Sequence, residues 1–136
     1  MIDKKIVTLF TIILWFLQAL LAIVFLTFGF FKLTRPIEEL SYYLPWITDV
    51  PAIMVRCIGI LESVFGLGMI LPYFFKQISR FKFVAPLGII ILLCGAIYLH
   101  IQRGETMIIQ VNVFLILAAA IVFTGRYYLS KHTQLV

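Results

Sequence analysis

Six polar side chains stand in or beside long apolar stretches of this sequence: Lys32, Arg56, Glu62, His100, Glu105 and Asn112. Hydrocarbon cannot solvate such groups. A polar residue inside an apolar helix therefore needs a partner, and it marks a functional position by default. Glu62 is the hardest to place, because an ionised carboxylate near the middle of a membrane must be paired, protonated or hydrated. That makes Glu62 the candidate proton carrier, with Arg56 and Lys32 as its charge partners. His100 and Glu105 would shape the mouth of a pocket, and Asn112 would hydrogen-bond below it. Lys, Arg and His donors suit the carbonyl oxygens of a quinone, a lipid headgroup or an anionic substrate. A plainer reading stands beside this one. Lys32, Arg103 and Glu105 can be rim charges, with Lys32 snorkelling to the headgroups, and Glu62 can sit in a purely structural ion pair with Arg56 or Lys32.

Other chemistries lack their residues. A haem held by two histidines is not expected, because His100 and the tail residue His132 fall on opposite sides of the membrane. No Cys/His metal cage can be assembled, so neither metal nor haem is expected. No G-x-S-x-G, phosphate loop or C-x-x-C dithiol is present. Cys57 and Cys94 are isolated from each other, and each is expected as a small buried hydrophobe.

These positions must be held by helices. The chain has 136 residues, of which 63% are hydrophobic and only 12% charged, against about a quarter charged in a soluble domain. Apolar runs at about 6–31, 52–75, 83–101 and 108–123 reach or approach the ~20 residues that cross ~30 Å of hydrocarbon. They are continuous, without the in/out alternation of barrel strands. The expected fold is all-α, an integral membrane four-helix up-down bundle forming one domain over 1–136. Its helices are expected at about 6–33, 51–75, 82–102 and 106–127. The first run follows Lys4 and Lys5 like the start of a signal peptide, but it is long enough to serve as an uncleaved anchor. The loop from Thr34 to Val50 is the longest connection, and its Pro36, Glu38 and Glu39 predict a short interfacial helix. With Tyr42, Tyr43 and Trp46 it would be either a lid over the bundle mouth or an interfacial anchor.

Helical spacing sorts the polar groups onto faces. Gln18, Phe25, Gly29 and Lys32 share one face of the first helix, and Arg56, Gly59, Ser63 and Gly66 form a stripe on the second with Glu62 beside it. Glu105, Asn112, Ala119 and Arg126 recur every seven residues on the fourth, where Arg126 reads as an anchor at the helix end. Gly59, Gly66, Gly88 and Gly95 are expected at close helix contacts. At ~1.5 Å per residue Arg56 lies roughly 7 Å and Glu62 roughly 16 Å into the second helix. The topology puts all six polar residues in the same half of the bundle. Seven basic residues (Lys4, Lys5, Lys76, Arg80, Lys82, Arg126, Lys131) fall on one side, against Lys32, Arg35, Arg56 and Arg103 on the other. That bias predicts cytoplasmic termini. The net charge of +5 then reflects anchoring to anionic lipid and not a nucleic-acid surface.

Several stretches carry a resemblance. They are Phe28-Gly29-Phe30-Phe31-Lys32-Leu33, the R-x-x-G-x-x-E segment from Arg56 through Gly59 to Glu62, Gly66-Leu67-Gly68-Met69-Ile70-Leu71-Pro72, and the H-x-x-x-G-E turn of His100, Gly104 and Glu105. Asn112 and Gly125-Arg126 follow in the same order. With these the chain resembles the DoxX-like family of small four-helix membrane proteins. The resemblance implies that Lys32, Arg56, Glu62, His100, Glu105 and Asn112 match the family's polar positions. It also implies a link to membrane oxidoreductases, since founding members are similar to subunits of a thiosulfate:quinone oxidoreductase. Other members look like scaffolds for membrane complexes, and animal relatives resemble chaperones for receptor assembly. No additional soluble domain of the kind associated with some thiosulfate-oxidising members is expected here, which weighs against thiosulfate chemistry.

The expected function is a quinone- or lipid-binding component of membrane electron transfer, with membrane oxidoreductase subunits as partners. The alternative is a non-catalytic scaffold or assembly partner. Whether the chain is an enzyme stays open at this point.

Overall fold

The structure is a computed structural model that describes residues 4–132. Five α-helices and three short 3-10 turns account for its regular structure, and no strand occurs among the described residues. Four of the helices are long and apolar enough to cross a membrane. The fold is an all-α membrane bundle.

Helix α1 runs Lys4–Thr34 and meets neither glycine nor proline until Gly29. It stops where Pro36 disfavours helical backbone at the residue before it. Its inward stripe is Leu14, Gln18, Leu21, Ala22, Phe25, Gly29 and Lys32, the face that the spacing predicted. Phe16, Ile23 and Phe30 point outward and are exposed. This inverts the pattern of a soluble helix, with polar groups inside and large apolar groups on the surface that lipid would cover.

Helix α2, Ile37–Tyr43, has Pro36 at its N-cap and Glu38 and Glu39 in its first turn. The 3-10 turn Pro45–Asp49 follows. Leu40, Trp46 and Ile47 pack on Val55 of the next helix, while Tyr42 and Tyr43 face outward. The segment is both folded onto the bundle and equipped for an interface.

Helix α3 spans Ala52–Gly68 and ends earlier than the expected residue 75. Pro72 explains this. Its ring would clash with the carbonyl of Gly68 and it has no N–H to donate there, so the chain continues as 3-10 turns at Leu71–Tyr73 and Lys76–Ile78. Helix α4 is Phe81–Arg103 and helix α5 is Thr106–His132.

The turn between α4 and α5 is a helix-ending motif of the Schellman type. Gly104 is left-handed at φ 71°. The N–H of Glu105 reaches the carbonyl of His100 at 3.0 Å, and that of Gly104 reaches Ile101 at 3.1 Å, which satisfies carbonyls otherwise left bare at the helix end.

The helices pair tightly as α1 with α3 and α4 with α5. A Cβ added to Gly29 would sit 2.9 Å from the Gly59 carbonyl, and one added to Gly66 would sit 2.9 Å from Leu26. Gly88 is packed against Phe65 of α3 in the same way. Gly95 is the exception to the expected close contacts, because a Cβ there meets nothing within 4 Å. The two pairs touch near Gly88 and part toward Gly95. Their separation creates the cavity described next.

Candidate functional site

A cavity of about 690 Å³ occupies the half of the bundle away from the termini. All four long helices line it, and Leu44 and Trp46 from the α2 segment cover it. Its size is that of a small-molecule site. The walls are mostly apolar, and Lys32, Glu62, His100 and Asn112 interrupt them.

Lys32 projects from the last turn of α1. Its Nζ donates to both carboxylate oxygens of Glu62, at 2.7 Å each. The side chains are almost withdrawn from solvent, 5% and 13% exposed. The rings of Phe28 and Trp46 stand 5.4 and 5.7 Å from the ammonium, within the range of a cation–π contact. An ammonium has three donors, and the third has no protein partner among the described residues. Lys32 is therefore neither a rim charge nor a snorkelling one.

Arg56 does not join this pair. Its guanidinium donates to the carbonyls of Lys32 and Arg35, the latter at 2.9 Å. It thus caps the C-terminus of α1, where a cation complements the bare carbonyls. Of the two expected charge partners, Lys32 alone reaches Glu62, and Arg56 acts on the backbone that carries Lys32.

His100 is buried and lines the cavity. Its Nδ1 lies 2.6 Å from Glu105 Oε2. The left-handed turn at Gly104 folds Glu105 back onto it. Arg103 Nε donates to the other oxygen of Glu105 at 2.9 Å and the same guanidinium is ion-paired with Asp49. The chain Asp49–Arg103–Glu105–His100 thereby fastens the α2 segment to the α4–α5 turn. Hydrogen bonds from Arg103 and then His100 hold the Glu105 carboxyl below its usual range. Glu105 itself does not line the cavity.

Asn112 lies on α5, 8% exposed, in the cavity wall. Its Nδ2 is buried and makes no hydrogen bond. A buried amide without a partner costs about 1–3 kcal/mol, so the position calls for an acceptor that the described residues do not supply. Native proteins leave few such groups, and those they leave need an explanation.

The DoxX-like family pattern matches residues 16–123 of the chain. The chain belongs to the DoxX-like family. Among curated proteins and among solved structures, none matches it. The matched span takes in the whole cavity wall of this DoxX-like protein, from Val24 to Leu115.

The sequence reading misplaced two features of the DoxX-like chain. Arg126, expected as an interfacial anchor, is 9% exposed and faces inward. Its Nε donates to Gln18 Oε1 at 2.8 Å, and the guanidinium lies over Trp15 and Tyr73. The stripe that the seven-residue repeat gives it with Asn112 and Ala119 is the buried face of α5. Cys57 and Cys94 are free and exposed on the outer surface of the bundle, because their positions on α3 and α4 fall on the lipid side. Among the described residues no three His, Cys, Asp or Glu side chains cluster as metal ligands.

Proposed function

We propose that this DoxX-like protein binds a lipophile with a polar head, a quinone or a lipid, in the cavity between its two helix pairs, as a component of membrane electron transfer. The observation that carries the reading is the unpartnered amide of Asn112 in an apolar cavity that also presents the Lys32–Glu62 pair and His100. The free donor of Lys32 and the amide of Asn112 suit carbonyl or phosphate oxygens. The apolar walls suit a ring or a chain. Glu62 takes up or releases a proton at the cavity, to and from the ligand head, while Lys32 stays an ammonium. Protonation of the carboxyl would leave Lys32 free to bond the ligand head fully, and deprotonation would draw the ammonium back. A bound quinone would supply two-electron redox chemistry. The residues here supply binding, charge and a proton.

The test is mass spectrometry of lipophilic material extracted from protein purified in a mild detergent, for wild type, Glu62→Gln and Gly95→Phe. Gly95 lies in the cavity wall and a Cβ there meets nothing within 4 Å, so a phenylalanine is introduced there to occupy the cavity. One quinone or one specific lipid per chain, lost in folded Gly95→Phe, supports the reading. Only bulk lipid in all three samples would sink it.

A second reading has an observation of its own. Lys32 donates to both carboxylate oxygens of Glu62 and so cross-links α1 to α3, as a scaffold for a membrane complex would require. In that case Gly95→Phe leaves complex assembly intact while Glu62→Gln impairs it.

A further inference from the structure

At the opposite end of the bundle a second cavity of about 370 Å³ lies among α1, α4, α5 and the turn after α3. Arg126, Lys82 and Tyr73 contribute its polar walls, with Thr11 and Ser130. The inference concerns this cavity and does not depend on the reading of the first one.

Among the described residues no carboxylate compensates the charge here. The carboxylates among the described residues are Glu38, Glu39, Asp49, Glu62 and Glu105, and all belong to the other half of the molecule or to its middle. Their ion pairs are with Lys32, Arg35, His100 and Arg103, so none serves Arg126. A guanidinium has five N–H donors. Arg126 places its donors on one acceptor, Gln18 Oε1, with Nε at 2.8 Å and a second bond from the terminal NH2. Gln18 is itself fixed, since its Nε2 donates to the Met69 carbonyl at 2.6 Å. The remaining guanidinium donors have no protein acceptor among the described residues. A buried cation without an anion is costly.

Two further groups point the same way. The Tyr73 hydroxyl is buried beside Gln18 and Arg126 without a hydrogen bond of good geometry. Helix α4 begins beside Lys82 with no acidic residue in its first turn, so the positive end of its dipole is not offset by a side chain there, although the N–H groups of Lys82 and Phe83 are taken by the carbonyls of Ser79 and Arg80. An arginine fork, a lysine and a phenolic hydroxyl, near the positive end of a helix, suit planar or tetrahedral oxyanions.

We infer that this cavity is a phosphate site, with Arg126 as its buried anchor and Lys82 as its outer cation. The phosphate is that of an anionic lipid headgroup or a free phosphate ion. Helix ends are where headgroups lie, and Val7 and Leu129 give the cavity an apolar side for the first methylenes of a chain.

The experiment is a thermal unfolding titration of the full chain in a neutral detergent at fixed ionic strength. The probes are phosphatidylglycerol, phosphatidylcholine of the same chains and inorganic phosphate. The proteins are wild type, Lys82→Gln, Arg126→Gln and Lys76→Gln. Lys76 is exposed at the same end but outside the cavity, so it controls for charge alone. Saturable stabilisation of wild type by phosphatidylglycerol and not phosphatidylcholine is expected, with about tenfold weaker binding in Lys82→Gln, the worth of one charged hydrogen bond. Lys76→Gln should match wild type, and Arg126→Gln, if it folds, should lose the response. Stabilisation by phosphatidylglycerol alone names a lipid headgroup. An equal effect of inorganic phosphate names the free ion. Equal effects of both lipids without a phosphate effect, or equal weakening by Lys76→Gln and Lys82→Gln, would overturn the inference.

Discussion

At the residue scale the Lys32–Glu62 pair joins two charges that neither water nor another residue can compensate fully. Removing one leaves the other buried. Glu62→Gln and Lys32→Met are each expected to lower unfolding stability by about 3–5 kcal/mol. The double variant Lys32→Met/Glu62→Leu should recover most of that, because an apolar pair of similar volume needs no counter-charge. Denaturant unfolding in detergent reads the three values. If the double variant is as unstable as the sum of the singles, the pair is not a closed unit. Glu105 gives a pH signature. Its carboxyl is held below the ordinary value of 4.5 by Arg103 and His100, so its stabilising contribution is present above pH 4.5 and is lost as the pH falls through the lower, folded value. Compared with Glu105→Gln, the wild type should therefore hold an advantage near neutrality that shrinks on acidification below pH 4.5. An advantage independent of pH would remove Glu105 from the clamp.

At the element scale the glycines divide by what a methyl group would meet. Gly29→Ala would press its Cβ against the Gly59 carbonyl at 2.9 Å, and backbone cannot yield as a side chain does. A loss of about 1–3 kcal/mol is expected, the usual cost of overpacking. Gly95→Ala meets open space and should gain up to ~1 kcal/mol from helix propensity. Parallel melts of the two variants decide whether α1–α3 is the tight pair and the Gly95 region the loose one. Much of this layer was legible in advance. Apolar run length gave the four long helices, and 3.6-residue spacing gave the buried face of α1. Pro36 with Glu38 and Glu39 gave α2. What escaped was tertiary. Nothing local to Arg126 reveals that Gln18, 108 residues away in sequence, will hold it inside. Nothing near Gly95 tells it from Gly88, since both look like packing glycines until the divergence of the helix pairs is known. Arg56 and Glu62 share a helix and differ by under two turns, yet they face different partners.

At the scale of the whole molecule, charge is segregated along the bundle axis. The described carboxylates gather in the α2 segment, the α4–α5 turn and the half between them, while Lys76, Arg80, Lys82, Arg126 and Lys131 occupy the other end. The basic end should face the cytoplasm, so a fluorescent protein fused to the C-terminus should fold and glow, and an alkaline phosphatase fused there should stay inactive. The reverse pattern would invert the bundle and put the first cavity in the inner leaflet.

The gap between the helix pairs has a consequence for how the first cavity fills. Ile91 and Tyr98 belong to its wall, yet they are 72% and 64% exposed on the surface that hydrocarbon covers. Part of its wall therefore reaches the lateral surface of the bundle, the surface that a bilayer would cover. If the cavity binds a lipophile as proposed, its occupancy would follow the mole fraction of that ligand among membrane lipids, not its concentration in water. Even a shallow preference over the surrounding lipid suffices for an abundant lipophile, and a change in membrane composition alone would load or empty the site.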